Sequence, residues 1–409
     1  MRLLLKLGWR NVWRNKRRSI ITTLAVTFAV MLSIAMRGIQ LGTYEVNIRH
    51  VVELFTGYVQ IQAPGYIDKP SLHKSFRMNR GLRAVLDEEP RIIAYAPRIL
   101  GDGLISFREN SQGAVLFGIE PEAESKVSTI SSRVIRGAFL DKANSAEIIV
   151  GATLLENLRA AIGDEIVVLA QGFDGSLGNL KFTIVGAVKT GMIEIDRSAV
   201  FMHIEAAREL LLMYGRATMI AVRLKDLPQI EPVEALLSPR LALQDLDVLT
   251  WKEVMPGLEQ GIEMDNVSGI LTLAILVIVV AFGITNTVLM SITERFREFG
   301  IVLSLGMPSR MLIGVVLLET AMIVVMGIIL GNVLAYGVNS YIAMNPIVFE
   351  GEFGKLYEEY GFLPRIESTV RFSSFLNNTL SILIVSILAV LYPLTKVLRL
   401  EPLKGIRYT

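Results

Sequence analysis

Cysteine is absent from this 409-residue chain, and histidine occurs three times, at His50, His73 and His203. The first absence excludes disulfides and a lipidated N-terminal cysteine, so any domain outside the cell must rest on its own core. The second, with no ligand spacing among the three, argues against a zinc site or a histidine-dependent active site. Charge is sparse too. Only 20% of residues are Asp, Glu, Lys or Arg and the formal net charge is +2, which gives no reason to expect a nucleic-acid partner. No GxxxxGK phosphate loop followed by Ser or Thr occurs, and Gly178-Asn-Leu-Lys-Phe fails in spacing and in the final hydroxyl. Asp and Glu form no distinctive pair. No catalytic residue, no metal site and no cofactor held by the chain itself is expected.

What the chain has instead is apolar length. Hydrophobic residues make up 52% of it and mean hydropathy is +0.49, above soluble-domain averages. Four segments are long enough to cross a membrane, about Ile20–Met36, Val267–Ile292, Met311–Val338 and Phe375–Leu398. The third carries Gly314, Gly327, Gly331 and Gly337, small residues that let helices approach closely in lipid. The first span is too long for a leader, and Ser33-Ile-Ala-Met-Arg is a poor cleavage site, so it is expected to stay.

Basic residues set the orientation. Arg2, Lys6, Arg10, Arg14, Lys16, Arg17 and Arg18 precede the first span; Arg295, Arg297 and Arg310 lie between the second and third; Lys396, Arg399, Lys404 and Arg407 close the chain. These three stretches, and with them both termini, are expected in the cytoplasm. Arg37–Asn266 and Asn339–Ser374 are then expected outside, with Arg37 snorkelling at the outer boundary.

Residues 1–18 read as an amphipathic helix lying on the inner leaflet, with Leu5, Trp9, Val12 and Trp13 on one side and Lys6, Arg10 and Arg14 on the other. Helical periodicity continues past Met36 through Ile48, Val51, Val52 and Phe55, which makes 19–56 a first span with an outward stalk. Trp251–Asn266 reads as a second stalk helix entering the second span, so that 251–292 forms one unit.

Between the stalks, 57–250 alternates. Strands are expected at Tyr58–Gln62, Arg91–Arg98, Leu104–Phe107 and Ala114–Ile119, with a helix at Asn79–Glu89. From about 121 to 213 the pattern is strand-rich: Glu147–Val150, Glu165–Ala170, Phe182–Val188 and Ala199–Met202, interrupted by helices at Ala152–Arg159 and Ile204–Leu212. Thr218–Leu224, a helix at Gln229–Leu237 and Leu246–Thr250 complete the domain. The fold class is therefore membrane α-helical, four spans with a large extracytoplasmic α+β domain that contains an inserted strand-rich subdomain. The spans are completed by 311–338, a short outer loop 339–374, 375–398 and a cytoplasmic tail 399–409.

The connection 293–310 is the most informative stretch. Phe296, Phe299 and Leu303 fall on one helical face at i, i+3 and i+7, and Glu294, Arg295, Arg297 and Glu298 cover the rest. A short helix of this kind offers a docked protein an apolar anchor and a charged rim. Composition alone leaves a solvated hairpin loop equally open. Asn286 and Glu319 fall within spans, where polar groups need partners; they are candidates for interhelical contacts or for a proton or substrate role.

Thr293-Glu294-Arg295, Arg297-Glu298-Phe299-Gly300-Ile301 and Leu305-Gly306-Met307, followed by Leu318-Glu319-Thr320 and the Gly-rich third span, resemble the FtsX-like permease signature of the MacB-type, or type VII, ABC-transporter group. The stretches Trp9–Arg18 and Tyr392–Arg407 are similar to that group too. In the outer domain, Phe117-Gly118-Ile119-Glu120-Pro121-Glu122, Ile148–Gly151, Gly163-Asp164 and Lys189-Thr190-Gly191-Met192 resemble the lipoprotein-releasing LolC/LolE pattern, in part shared with MacB.

The resemblance implies a permease subunit without ATPase motifs of its own. It implies a cytoplasmic ABC ATPase dimer holding ATP and Mg2+ and docking on the short helix, a second permease copy or paralogue, and location in the bacterial inner membrane. It also implies an amphipathic cargo drawn from the membrane lipid, a lipoprotein first of all. In LolC-type subunits a hairpin recruits a periplasmic carrier; the corresponding stretch here is Ala170–Leu180, with Phe173 and Leu177 as candidate contacts, but it is Gly-rich and has no Pro. A MacB-like mechanotransmission exporter of peptides or small molecules, and an FtsX-like scaffold that activates a cell-wall hydrolase, are the alternatives.

Overall fold

The computed structural model describes residues 2–14, 16–141, 146–359 and 362–398; the expected tail 399–409 lies outside the described residues. Among these, four helices are long and apolar enough to cross a membrane: Lys16–Thr56, Pro256–Glu294, Ser309–Met344 and Phe372–Lys396. The chain divides into a membrane unit (up to Tyr44, Ile262–Val348, and from Arg365 on) and an outer unit, Glu45–Gly261 with Phe349–Pro364.

In the membrane unit the first and third spans meet through glycine. A Cβ on Gly327 would lie 2.7 Å from that of Val26, and one on Gly331 2.6 Å from that of Val30. This i, i+4 pair therefore fits only hydrogen. Gly314 and Gly337, from the same sequence series, meet nothing. Several polar side chains find partners across helices, where lipid offers none. Ser33 donates to Asn378 Oδ1 at 2.6 Å, Asn332 donates to Thr379 at 3.0 Å, and the Thr22 and Thr287 hydroxyls are 2.8 Å apart. The second span is packed differently: 11% of its most apolar window is buried, against 56% for the first. It contributes only one side to the core, through Val280, Ile284, Val288 and Ile292.

The second span ends at Glu294. Arg295 leaves helical geometry (φ −107°, ψ 13°), and a separate short helix runs from Phe296 to Ser304. Gly306, at φ +92°, and Pro308 then reverse the chain into the third span at Ser309. The positive φ needs glycine, and the proline presets the start of the next helix. The expected outer loop 339–374 is not bare: a two-residue ladder, Ile347–Val348 with Arg365–Ile366, frames a helix at Gly351–Glu359.

The main sheet of the outer unit has ten strands: β1 (Val59–Gln62), β2 (Ile92–Phe107), β3 (Asn110–Ile119), β4 (Val134–Gly137), β5 (Glu147–Gly151), β6 (Glu165–Gln171), β7 (Leu177–Val188), β8 (Ala199–His203), β9 (Met219–Leu224) and β10 (Asp247–Thr250). Their order is β10-β1-β9-β2-β3-β8-β5-β7-β4, and β6 bridges β7 back to β2. The strands β2-β3-β8-β5-β7-β6 thus close into a six-stranded barrel, which removes sheet edges. Alternate inward residues such as Leu116, Ile148, Val150, Val168, Ile184 and Val200 fill it. Each contributes about 1.5–3 kcal/mol on full burial, and this core does the work that disulfides do elsewhere. The other strands form an open antiparallel sheet with the helix Ile230–Ala242.

Sequence and structure differ at four places here. The two strands expected at Arg91–Arg98 and Leu104–Phe107 are one, because β2 runs through Gly101-Asp102-Gly103. Those glycines allow close approach, since a Cβ on Gly103 would lie 2.8 Å from the Leu169 carbonyl. The first half of β2 serves the open sheet and the second half the barrel, so the strand-rich part begins well before 121. Short helices at Pro121–Val127 and Ile193–Ser198 join those expected. The helix expected from Trp251 to Asn266 breaks at Met255, because a residue before proline is pushed out of helical geometry.

Candidate functional site

The short helix Phe296–Ser304 is held by charge on one side and by apolar packing on the other. Phe299 is 3% exposed and joins the core of the spans, with Phe296 and Leu303 packed against the same core. The sequence expectation is corrected at Phe299, which the chain's own spans cover, whereas Phe296 and Leu303 are only partly buried. Helical periodicity defines a face; it does not say which neighbour takes it. The face turned outward carries Arg297, Ile301, Ser304 and Leu305, the last 82% exposed, with Arg310 just beyond.

Around the root of this helix runs a chain of charges. Arg18 donates to Glu294 at 2.7 Å. Arg14, from the helix Arg2–Arg14, donates to both oxygens of Glu298, one at 3.3 Å. Arg295, at the break after the second span, donates to Glu298 at 3.3 Å and to Glu319 of the third span at 3.1 Å, and lies 5.1 Å from the Phe299 ring centre. With its amide oxygen turned towards Arg295, Asn11 accepts from Nη2 at 3.1 Å. Arg295 thereby joins three elements, and Glu319 has an identified partner. The Arg14 hydrogen bond holds the Glu298 carboxyl below its ordinary range, against the opposing effect of partial burial.

A cavity of about 20 Å3, room for one water, lies among Arg18, Thr22, Thr287, Ser291, Glu319 and Thr320. Asn286 behaves differently from Glu319: it is exposed on the second span and makes no interhelical hydrogen bond among the described residues. Trp9 and Trp13 of the first helix are half exposed with ring centres 6.0 Å apart, and Val12 is buried.

The candidate carrier loop is compact. β6 and β7 pair as far as Gln171 and Leu177, leaving a five-residue turn closed by Gly172 N–H to the Ser176 carbonyl at 2.8 Å. Phe173 folds back, 4.8 Å from the His73 ring and 5.0 Å from the Arg216 guanidinium, with its N–H on the Leu211 carbonyl. The stretch is thus the short turn of a β-hairpin, and Phe173, partly buried, packs against its own domain. Leu177 remains 71% exposed.

One site that sequence reasoning missed is the pair Arg98–Glu124 in the outer unit. Both side chains are fully buried and joined by hydrogen bonds of 2.6 and 2.9 Å, with Arg98 Nη1 on the Phe55 carbonyl. The sole signal is an arginine ending an apolar strand. Among the described residues no group of three His, Asp or Glu side chains is placed to hold a metal ion.

Comparison with known proteins gives the family. Residues 19–240 match the MacB-like periplasmic core domain and residues 270–402 the FtsX-like permease C-terminal domain. The chain is 25% identical to the lipoprotein-releasing system transmembrane protein LolC of Neisseria meningitidis serogroup B, over 98% of each chain. It is 20% identical to the macrolide export ATP-binding/permease protein MacB of Escherichia coli over 79% of this chain and 50% of that protein. The solved periplasmic region of MacB from Actinobacillus actinomycetemcomitans is 13% identical, with a TM-score of 0.36, over 52% of this chain and 98% of that one. The chain therefore belongs to the FtsX-like, MacB-type permeases, multi-pass membrane proteins of ABC transporters that carry a MacB-like periplasmic domain.

Proposed function

We propose that the chain is the permease subunit of an ATP-driven assembly that releases lipoproteins from the bacterial inner membrane. The observation that carries this reading is the collinear match to LolC across 98% of both chains; the match to MacB reaches only half of that protein. Both termini and the short helix face the cytoplasm in this reading, supported by the basic residues around them. An ABC ATPase dimer, which holds ATP and Mg2+, grips the outward face of the short helix at Arg297, Ile301 and Leu305. A second permease copy or paralogue completes the complex.

The mechanism is mechanical. ATPase closure displaces the short helix, and Arg295 passes the displacement to the third span through Glu319 and to the first helix through Glu298 and Asn11. The second span, continuous with the break at Arg295 and the least buried of the four, is the element freest to move. Its movement displaces an amphipathic cargo from beside the first and second spans towards the periplasmic domain. A periplasmic carrier would meet Leu177 first at this hairpin, since Phe173 is partly covered by its own domain.

The match to MacB favours a second reading, export of a peptide or small molecule by the same lever. Reconstitution of the chain with its ATPase in nanodiscs separates the two. Triacylated lipoprotein should stimulate hydrolysis, and export peptides should not. Stimulation by peptides alone would overturn the lipoprotein reading and leave the lever intact.

A further inference from the structure

The outer unit holds a crevice of about 430 Å3 that the transport reading does not use. Leu72, Leu100, Val115, Met192, Ile195 and Met219 make its walls apolar, and most of these remain partly exposed. A concave apolar surface with few polar groups, in a domain bathed by water, has the form of a ligand site. Methionines in its lining let it adapt to different shapes.

Its polar groups are one-sided. Asp102 and Glu194 are exposed lining residues, and no Lys, Arg or His is among the lining residues. Gln60 also lines the crevice and is 3% exposed. Its Nε2 donates to the Thr56 carbonyl at 2.7 Å, while Oε1 has no hydrogen-bond partner. That atom is shut away from the crevice, so it is not a contact for a ligand. An anionic ligand does not suit these two carboxylates.

We propose that this crevice binds a hydrophobic amine. The apolar body lies along the walls, and the ammonium group supplies the positive charge that Asp102 and Glu194 lack a partner for in the crevice. Thr56, the last residue of the turn closing the first long helix, and Met255, immediately before the helix that begins at Pro256, line the same crevice. A bound amine would therefore touch the roots of both long helices. The site is independent of which cargo is transported.

The test uses three probes with one apolar body, 4-phenylbutylamine, 4-phenylbutan-1-ol and 4-phenylbutyrate, and the full chain in nanodiscs. Binding is read by saturation-transfer NMR, with empty nanodiscs to subtract membrane partitioning. The amine should bind best and the carboxylate roughly ten-fold more weakly, the scale of two solvent-screened charges. Asp102→Asn with Glu194→Gln, both at exposed positions, should bring the two within about two-fold. Ile195→Trp, which fills the space, should abolish the amine signal. Equal binding of amine and carboxylate to the unmodified chain overturns the proposal. So does an amine signal unchanged in Ile195→Trp, or binding of no probe at all, the result expected if a second copy of the chain covers the crevice.

Discussion

Two Arg–Glu pairs are drawn out of water in this chain, and they are built on different plans. Arg98 and Glu124 in the outer unit are fully buried, joined by two parallel hydrogen bonds, with the Phe55 ring centre 4.3 Å from the guanidinium. Arg295 and Glu319 in the membrane unit share one contact of 3.1 Å and keep 13% and 9% of their side-chain exposure. Arg295 also has Glu298 and Asn11 to turn to. A sealed pair without alternatives can only fix a structure, because losing either partner strands a buried charge. A pair embedded in a chain of partners can exchange contacts as an element moves. In the proposed mechanism the first pair holds a domain together and the second sits in the lever.

That contrast breaks most readily at Arg98. Arg98→Met should destabilise the outer unit by about 3–5 kcal/mol, and adding Glu124→Leu should restore most of the loss, because two apolar residues leave no charge behind. Denaturant unfolding of the full chain checks this, and a single variant as stable as the parent would refute the sealed-pair account. Arg295→Met should behave oppositely. The chain should fold and recruit its ATPase, yet coupled release should fall roughly ten-fold, about 1.4 kcal/mol of transmitted work, with hydrolysis continuing. Loss of folding instead would make Arg295 a structural residue.

The two faces of the short helix sharpen the comparison further. Phe299→Ala should cost about 2–4 kcal/mol of packing within the spans, measured as lowered thermal stability in detergent. Ile301→Ala and Arg297→Glu should leave stability within about 0.5 kcal/mol and weaken ATPase recruitment. The smallest effect concerns pH. Glu298 has a lowered folded-state pKa, so its link to Arg14 contributes fully above the unfolded value of 4.5 and is lost as pH falls through the lower folded value. Trp13 fluorescence should be flat near neutrality and change only below about pH 4.5. The change should correspond to well under ~1 kcal/mol and shrink in high salt, since the pair is exposed.

Much of this architecture was legible because its signals are local. Span length, the short charged connection and period-two strands such as Ile148–Val150 are written in consecutive residues. What escaped is non-local. Closure of the barrel depends on β2 meeting β6 some sixty positions away, and the handover within β2 is masked by Gly101 and Gly103, which read as a break. Arg98 finds Glu124 through the fold, and Arg295 finds Glu319 from the far side of a turn. For Phe299 the periodicity was right and the neighbour wrong. A stripe on a short helix says nothing of whether its own chain or a partner covers it, and here the spans do.

The most direct measurement exploits the absence of cysteine. Single Ile301→Cys and Leu177→Cys chains can be labelled with a membrane-impermeant maleimide in intact cells and in inverted membranes. The account predicts that Leu177→Cys reacts only in intact cells and Ile301→Cys only in inverted membranes, with protection of Ile301→Cys when the ATPase is bound. Labelling of Ile301→Cys from outside, or labelling indifferent to the ATPase, would contradict the claim that this short helix is where force enters the chain.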